Sequence, residues 1–333
     1  MICLKTQHFN VNRILLLAVG LWPYQRSRVV ELQLILFLGI LITFIIFQFT
    51  TFLTSKCTPE HILEVISSTF FITCFVILYN SFWINANTIR STLDRLQDVC
   101  NELRDENEIA ILKKYGSKAK RYTTAIIPIN IGAVSMMATG TIFIAYLQHI
   151  CGMFGIASYR IEQAINILQK DILKSENMVY KEITYAVDIH RKAMEFTDFL
   201  ISNFERSFFF LIVIGVTCAS INLFQLASYS DGIEKLVIPI LKLIFLYVFL
   251  FLSNYVAQEA TNHNECVFAT VYDVQWYTAP LHIQKIILFL LQRGTKPFHI
   301  NLGGIFVASL ESAATVFSAT ISYFTVLYST REN

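Results

Sequence analysis

The amino-acid sequence predicts an all-α fold: a polytopic helical membrane protein with its amino terminus in the cytoplasm. Three observations predict it. Hydrophobic residues make up 55% of the 333-residue chain and charged residues only 15%, far from the balance of a soluble globular protein. Several runs with almost no charge reach about 20 residues, the length an α-helix needs to cross the hydrocarbon of a bilayer. Lys and Arg gather between those runs, the pattern that sets orientation in a membrane.

The first apolar run, Ile14 to Leu21, is short, ends in Trp22-Pro23 and leads into Arg26 and Arg28 with no small-residue cleavage site, so no cleavable signal is predicted. Five segments qualify as spans: Leu32 to Leu53, Val65 to Ile84, Ser207 to Ser228, Leu236 to Gln258 and Ile300 to Tyr328. Lys242 interrupts the fourth and Glu311 the fifth. Lys5, Arg13, Arg26 and Arg28 precede the first span with no acid among them, whereas Lys56 is the one basic residue in the loop that follows. That asymmetry places the amino terminus inside. Residues 85–121 (Arg90, Arg95, Lys113, Lys114, Lys118) and 149–206 (Arg160, Lys170, Lys181, Arg191, Lys192) are basic, so both are expected as cytoplasmic loops.

Between those loops lies one uncharged stretch of 27 residues, 122–148, reaching about 40 Å as a helix. If both flanks are cytoplasmic it must cross an even number of times, yet its length fits one crossing. A hairpin or re-entrant segment broken at Pro128, Gly132 or Gly140 is the other option, and an internal deletion is a third. Six apparent spans result. Val187, His190, Ala193, Met194 and Phe196 to Ile201 recur at helical spacing, so 176–206 reads as an amphipathic helix running into the next span. Residues 259–295 read likewise, with Val267, Val271, Val274, Leu281, Ile286 and Leu290 on one face and Pro280 as a break.

A net charge of +2 leaves no basic field to steer a nucleic acid. Seven cysteines without a CxxC pair predict no disulfide framework or zinc site, and read as small apolar residues. His149, His190 and His282 have no metal-ligand spacing and read as loop or anchor residues. No phosphate loop, nucleophile elbow or carboxylate dyad occurs, so the sequence predicts neither an enzyme nor a cofactor.

Six stretches in order give the chain a further resemblance: LLLAVGLWPYQ (Leu15 to Gln25), HICGMF (His149 to Phe154), DIHRKAMEFTDFLISNF (Asp188 to Phe204), VYDVQWYTAPLHIQKIILFLLQR (Val271 to Arg293), TKPFHINLGGIFVASLES (Thr295 to Ser312) and SYFTVL (Ser322 to Leu327). Together they resemble the insect odorant receptors, in particular the tuning subunits numerous in ants and bees. The resemblance implies a seven-helix fold with a cytoplasmic amino terminus, in the plasma membrane of an olfactory sensory neuron. It implies an odorant-gated, nonselective cation channel assembled with a shared olfactory co-receptor as a hetero-tetramer, with a small volatile odorant as ligand. In such a chain residues 1–258 hold membrane helices and cytoplasmic loops, 259–313 an intracellular anchor between subunits, and 314–330 the pore helix. The family's third span, outer loop and fourth span fall where 122–148 sits here, so the chain resembles one with part of that region deleted.

On the last segment Thr315, Ala319, Ser322, Val326 and Ser329 or Thr330 recur every three or four residues, giving a small or polar face opposite Phe317, Ile321, Phe324 and Tyr328. Such a face lines a narrow aqueous path or lets helices pack closely; the resemblance favours the path, with Ser322, Val326, Ser329 and Thr330 lining it. Glu311, in SLES, matches the bend before the pore helix, which makes it an anchor residue with polar partners rather than a functional acid inside the span, and Gly303 and Gly304 are loosening points beside it. Trp276 and Tyr277 match the anchor, as subunit contacts or as part of a subunit's own core. Lys242, two turns below the outer end of its span, either snorkels outwards or stands at the rim of the ligand pocket. By position alone, Phe70, Phe71, Thr73, Cys74, Ile240 and Phe245 join it as pocket candidates. A non-signalling splice or gene-model product, a gustatory receptor and a secondary transporter are the competing readings, the last expected to show internal repeats.

Overall fold

The computed structural model describes residues 10–25, 27–54, 58–103, 105–126, 134–170, 172–228, 233–302 and 306–332, and they are almost wholly helical. The helices are α1 (Asn10–Ala18), α2 (Arg28–Thr54), α3 (Pro59–Ile84), α4 (Ala86–Glu102), α5 (Glu106–Ile126), α6 (Val134–Lys170), α7 (Ile172–Ser228), α8 (Ile233–Asp273), α9 (Leu281–Gly294) and α10 (Leu310–Glu332). A two-residue hairpin, β1 (Asn301–Leu302) and β2 (Phe306–Val307), pairs Asn301 with Val307 and Leu302 with Phe306 ahead of α10. Among the described residues, six helices (α2, α3, α6, α7, α8 and α10) contain a stretch long and apolar enough to cross a membrane, the number the sequence predicts.

Local chemistry explains the ends. Thr58 opens α3: its hydroxyl accepts the His61 N–H at 3.3 Å, and Pro59 occupies a first-turn position where an N–H would be orphaned anyway. At the corner between α3 and α4 the Asn85 side chain donates to the carbonyls of Ser81 (3.0 Å) and Asn203 (3.1 Å), fixing the corner to α7. Ser309 caps α10 by accepting the Ser312 N–H at 3.1 Å, while its own N–H donates to Asn254 Oδ1 at 3.1 Å, tying that start to α8.

The core is built around α6, whose apolar window is almost entirely covered by the rest of the chain. Ile142, Tyr146, Ile150, Phe154, Ile161 and Ile165 are buried along it. Phe143 meets Phe82 of α3 and Phe204 of α7 edge-on, with ring centroids 5.3 and 4.7 Å away. Gly152 lets α5 close on α6, since a Cβ there would lie 2.9 Å from Leu112 Cδ1. The short α1 tucks beneath: Thr123 Oγ1 donates to Asn12 Oδ1 (3.2 Å), Asn12 Nδ2 to the Thr141 carbonyl (3.4 Å), and the Tyr79 hydroxyl to the Val19 carbonyl (2.8 Å). No residue of α2's apolar window is fully buried: Leu34, Phe37 and Leu38 rest on the core, Phe37 stacking on Tyr79, and the rest of the helix is left to lipid.

Polar ties hold the extensions of α5, α6, α7 and α8 together. Lys118 pairs with Glu259, whose other oxygen accepts Gln148 Nε2 at 2.7 Å. Burial pulls the Lys118 ammonium down, but its hydrogen bond and charge pairing with Glu259 outweigh this and leave its pKa raised. Arg160 pairs with Glu108 through two contacts, one of them 3.0 Å. His190 shares a buried 2.8 Å hydrogen bond with Asn264 Oδ1.

Several expectations need correction. The basic stretches 85–121 and 149–206 are helical over most of their length: α4 and α5 fill the first, and α6 continues through His149 to Lys170 before α7 begins. His149 and His190 are therefore buried helix residues. The stretch 122–148 divides between the end of α5 and the start of α6; Pro128 and Gly132 lie outside the described residues. The last span starts at Leu310, not Ile300, because the hairpin intervenes; Gly303 and Gly304 are outside the described residues. Of the stripe expected over 259–295, Val267, Val271 and Leu290 are buried and Val274 and Ile286 pack on the core, but Leu281 is exposed, and Ile283 and Ile287 take the buried face at the start of α9. Cys100 is disulfide-bonded, against the reading of all seven as plain apolar residues. The predicted helix over 176–206 is present as the inner half of α7, with His190, Ala193, Phe196 and Leu200 buried.

Candidate functional site

An apolar cavity of about 170 Å³ lies between α3, α6, α7, α8 and α10. Cys74 and Leu78 of α3, Gly140 and Phe143 of α6, Phe208 and Gly215 of α7, Phe245 and Phe249 of α8, and Val316 and Thr320 of α10 contribute to its wall, and the hairpin residues Leu302 and Phe306 close one end. Gly140 is required beside Phe249: a Cβ there would fall 2.4 Å from the ring's Cε2. The polar side chains in its wall include Tyr247, Ser253, Asn254 and Thr320. Thr320 donates its hydroxyl to the Val316 carbonyl at 2.9 Å, the Ser220 hydroxyl donates to the Thr320 carbonyl at 3.1 Å, and the Tyr247 hydroxyl stands near Thr320. A pocket of this kind holds a small apolar molecule and offers it one or two polar contacts.

Between this cavity and the α7–α8 end of the bundle, two layers are stacked. Phe71, Phe75 and Phe245 meet edge to face, with centroids 4.9 to 6.1 Å apart. Beyond them is a polar layer: Lys242 Nζ donates to Ser67 Oγ (3.3 Å) and Ser68 Oγ (2.8 Å), Ser67 donates to Asn222 Oδ1 (3.0 Å), and Asn222 Nδ2 donates to the Cys218 carbonyl (2.7 Å). Lys242 is only 9% exposed. It does not snorkel; its stem runs inwards, because Ser67 and Ser68 on the facing helix supply acceptors that lipid does not.

The structure brings together part of the predicted pocket. Cys74 and Phe245 line the cavity, Phe71 belongs to the ring layer and Lys242 to the polar layer. Ile240 is 41% exposed on the outer side of α8 and takes no part. Phe70 and Thr73 are half-buried outside the lining, Thr73 donating to the Thr69 carbonyl at 2.8 Å. Sequence reasoning missed the α6 and α7 walls, above all Gly140, Phe208 and Gly215. Glycines and phenylalanines in apolar helices are too common to mark a cavity; the signal that could have been used is a small residue every turn facing a ring on a neighbour. It also missed Ser67, Ser68 and Asn222, which as polar residues inside spans are a legible signal.

Along α10 the face packed on α7 and α8 is Ala313, Val316, Thr320 and Phe324. Ser322, Val326 (59% exposed), Ser329 and Thr330 point away from the protomer. Each hydroxyl of that outer face bonds back within the helix: Ser322 to the Ser318 carbonyl (3.0 Å), Ser329 to Val326 (3.0 Å) and Thr330 to Leu327 (2.9 Å). The expected opposition of faces holds for Phe324, which is half-buried; Phe317, Ile321 and Tyr328 are exposed, although the Phe317 ring meets that of Tyr247 at 5.1 Å. Glu311 lies exposed in the first turn of α10, where an acid suits the helix dipole. Trp276 is half-buried against the core and Tyr277 is 64% exposed, both in a short 3₁₀ turn between α8 and α9. Among the described residues no group of His, Cys, Asp and Glu is arranged to hold a metal.

Comparison with known proteins gives this geometry its context. The solved structure of the olfactory receptor OR5 from Machilis hrabei in complex with eugenol superimposes with a TM-score of 0.80 over 97% of each chain, at 16% sequence identity. A second structure of the same receptor gives 0.79 over 96% of this chain and 97% of the other, at 15% identity. That likeness establishes the fold. Odorant receptor 22c of Drosophila melanogaster is 26% identical over 193 residues, covering 56% of this chain and 47% of the relative. Odorant receptor 22a of the same fly is 20% identical over 203 residues, covering 59% and 50%. The chain thus matches about half the length of these curated relatives. The family model described as 7tm Odorant receptor matches residues 122–321, from the end of α5 to the middle of α10. Since that match takes in more than half of the chain and the fold agrees end to end, this protein belongs to the 7tm odorant receptor family.

Proposed function

We propose that this chain is the odorant-binding tuning subunit of a ligand-gated, nonselective cation channel, working with an olfactory co-receptor in the plasma membrane of an olfactory sensory neuron. The observation that carries the reading is the apolar cavity whose wall includes Val316 and Thr320 of α10. A ligand in that cavity touches the helix whose far face, Ser322, Val326, Ser329 and Thr330, is free of the protomer. Binding and conduction then share one element: a ligand that favours one setting of α10 shifts the population of open pores by its differential affinity for that setting. The exposed Tyr277 and the half-buried Trp276 supply contacts to neighbouring subunits in the anchor, and the amino terminus is cytoplasmic.

Co-expression with the co-receptor, followed by recording of odour-evoked currents, tests this. Ligand-specific inward current that is lowered several-fold by Ser322→Leu, with surface expression unchanged, is the expected result. Currents indifferent to substitution at Ser322 and Val326 alike would take α10 out of the conduction path. The short link between α5, ending at Ile126, and α6, starting at Val134, favours a second reading, a shortened and non-signalling form; robust ligand-specific current rejects it.

A further inference from the structure

We propose that Lys242, with Ser68, is the head-group site for a small carboxylate-bearing amphiphile whose apolar tail fills the cavity beneath. The proposal rests on the reading of that cavity as the ligand site and names the class of ligand it takes.

An ammonium group has three N–H donors. Two of those of Lys242 go to the hydroxyls of Ser67 and Ser68, which are neutral, and among the described residues Lys242 makes no ion pair. Glu64, one turn earlier on α3 and exposed, attracts it only from a distance. A cation buried in a membrane helix against two hydroxyls is an unfinished site, since a buried charge is stabilised by an opposite charge with good hydrogen-bond geometry. A carboxylate completes it. One oxygen takes the third N–H of Lys242; the other takes the proton of the Ser68 hydroxyl, whose oxygen is already an acceptor. Ser67 is held in place, donating to Asn222 Oδ1.

The tail reaches the cavity by parting the rings of Phe71, Phe75 and Phe245, which pack edge to face between head group and cavity. On α3, Ser67, Phe71, Cys74 and Leu78 follow one another at spacings of four and three, so they share a face. On α8, Lys242 and Phe245 are one turn apart. Cys74 and Phe245 line the cavity, about 5 to 10 Å further along their helices than the head group. The volume of about 170 Å³ is close to that of a dry cavity of about 150 Å³ that accepts benzene. A tail of about six carbons beyond two that pass the ring layer therefore fits, the length of octanoate.

The test uses the full chain in phosphatidylcholine nanodiscs, titrated with radiolabelled octanoate, 1-octanol and octylamine. Octanoate is expected to bind at least tenfold more tightly than octanol, and octylamine without saturation. Lys242→Met should bring octanoate down to the octanol level and leave octanol unchanged, while Ser68→Ala lowers octanoate about threefold. If the Lys242 variant does not fold, the comparison of head groups on the unaltered chain and the Ser68 variant still decide. Equal affinity for octanoate and octanol, no saturable octanoate binding, or a preference that survives Lys242→Met overturns the assignment. Octanol binding without an octanoate preference leaves the cavity reading standing while removing the head-group site. Octanoate binding that evokes no current removes the channel reading and leaves this one.

Discussion

The buried pair His190 and Asn264 illustrates how much single residues carry in this fold. Their 2.8 Å hydrogen bond joins α7 to α8 inside the core, and Phe154 and Phe268 pack on the imidazole. Asn264→Leu leaves a ring nitrogen buried without its partner, a loss of about 1–3 kcal/mol; the expected readout is a lower midpoint in thermal unfolding of the solubilised protein, and an unchanged midpoint would show that the bond adds nothing. At Gly140 the constraint is steric. Gly140→Ala forces the Phe249 ring to move and is expected to cost about 1–3 kcal/mol through overpacking, with a measurable shrinkage of ligand affinity because the same ring lines the cavity. Little of this was legible beforehand. His190 was visible as part of a helical stripe, but its partner is 74 residues away, and one sequence carries no record of which distant polar groups meet. Lys242 is the converse: its oddity is plain from sequence, and only the facing serines reveal that it turns inwards.

Helices differ in how strictly their sequences are held. α2 has no fully buried residue over its apolar window while α6 has almost nothing else, so equal substitutions on their outer positions should have unequal effects. A Cβ added at Gly39 on α2 meets nothing within 4 Å, whereas one at Gly152 on α6 meets Leu112 and Tyr115. Gly39→Leu should change stability by under about 0.5 kcal/mol and Gly152→Leu by several times that, as read from paired unfolding curves; equal effects would contradict the central place given to α6. Composition separates spans from loops well, because charge density changes abruptly at α2, α3 and the outer parts of α7 and α8. It fails at α6. There a basic flank, Arg160 and Lys170, masks a helix whose Phe154, Ala157, Ile161, Ala164 and Leu168 recur at helical spacing and are all buried. It also places the start of α10 ten residues early, since the apolar run Ile300 to Val307 suits a buried hairpin as well as a helix.

For the molecule as a whole, the orientation argued from Lys and Arg keeps both flanks of α6 inside and leaves five crossings, by α2, α3, α7, α8 and α10; it predicts that a tag at the amino terminus is protected in intact cells, while one placed after Glu332 is labelled from outside. Labelling of the amino-terminal tag in intact cells would reverse the arrangement and remove the outward course of α10. The all-helical membrane architecture and its six apparent spans were legible from composition and segment length. The cavity was not, because its wall draws on five helices and a hairpin that only folding assembles.

The unbroken course of α7 has a mechanical consequence. Fifty-seven residues make a rod of about 85 Å, far longer than the roughly 30 Å of hydrocarbon it crosses. Such a rod is a lever with its fulcrum in the bilayer: a swing of about 5° at the lipid shifts an end about 50 Å away by about 4 Å. A guest no larger than a benzene ring, wedged against Phe208 and Gly215, is thus positioned to displace the distant amino-terminal tip of α7 far more than it displaces its own surroundings.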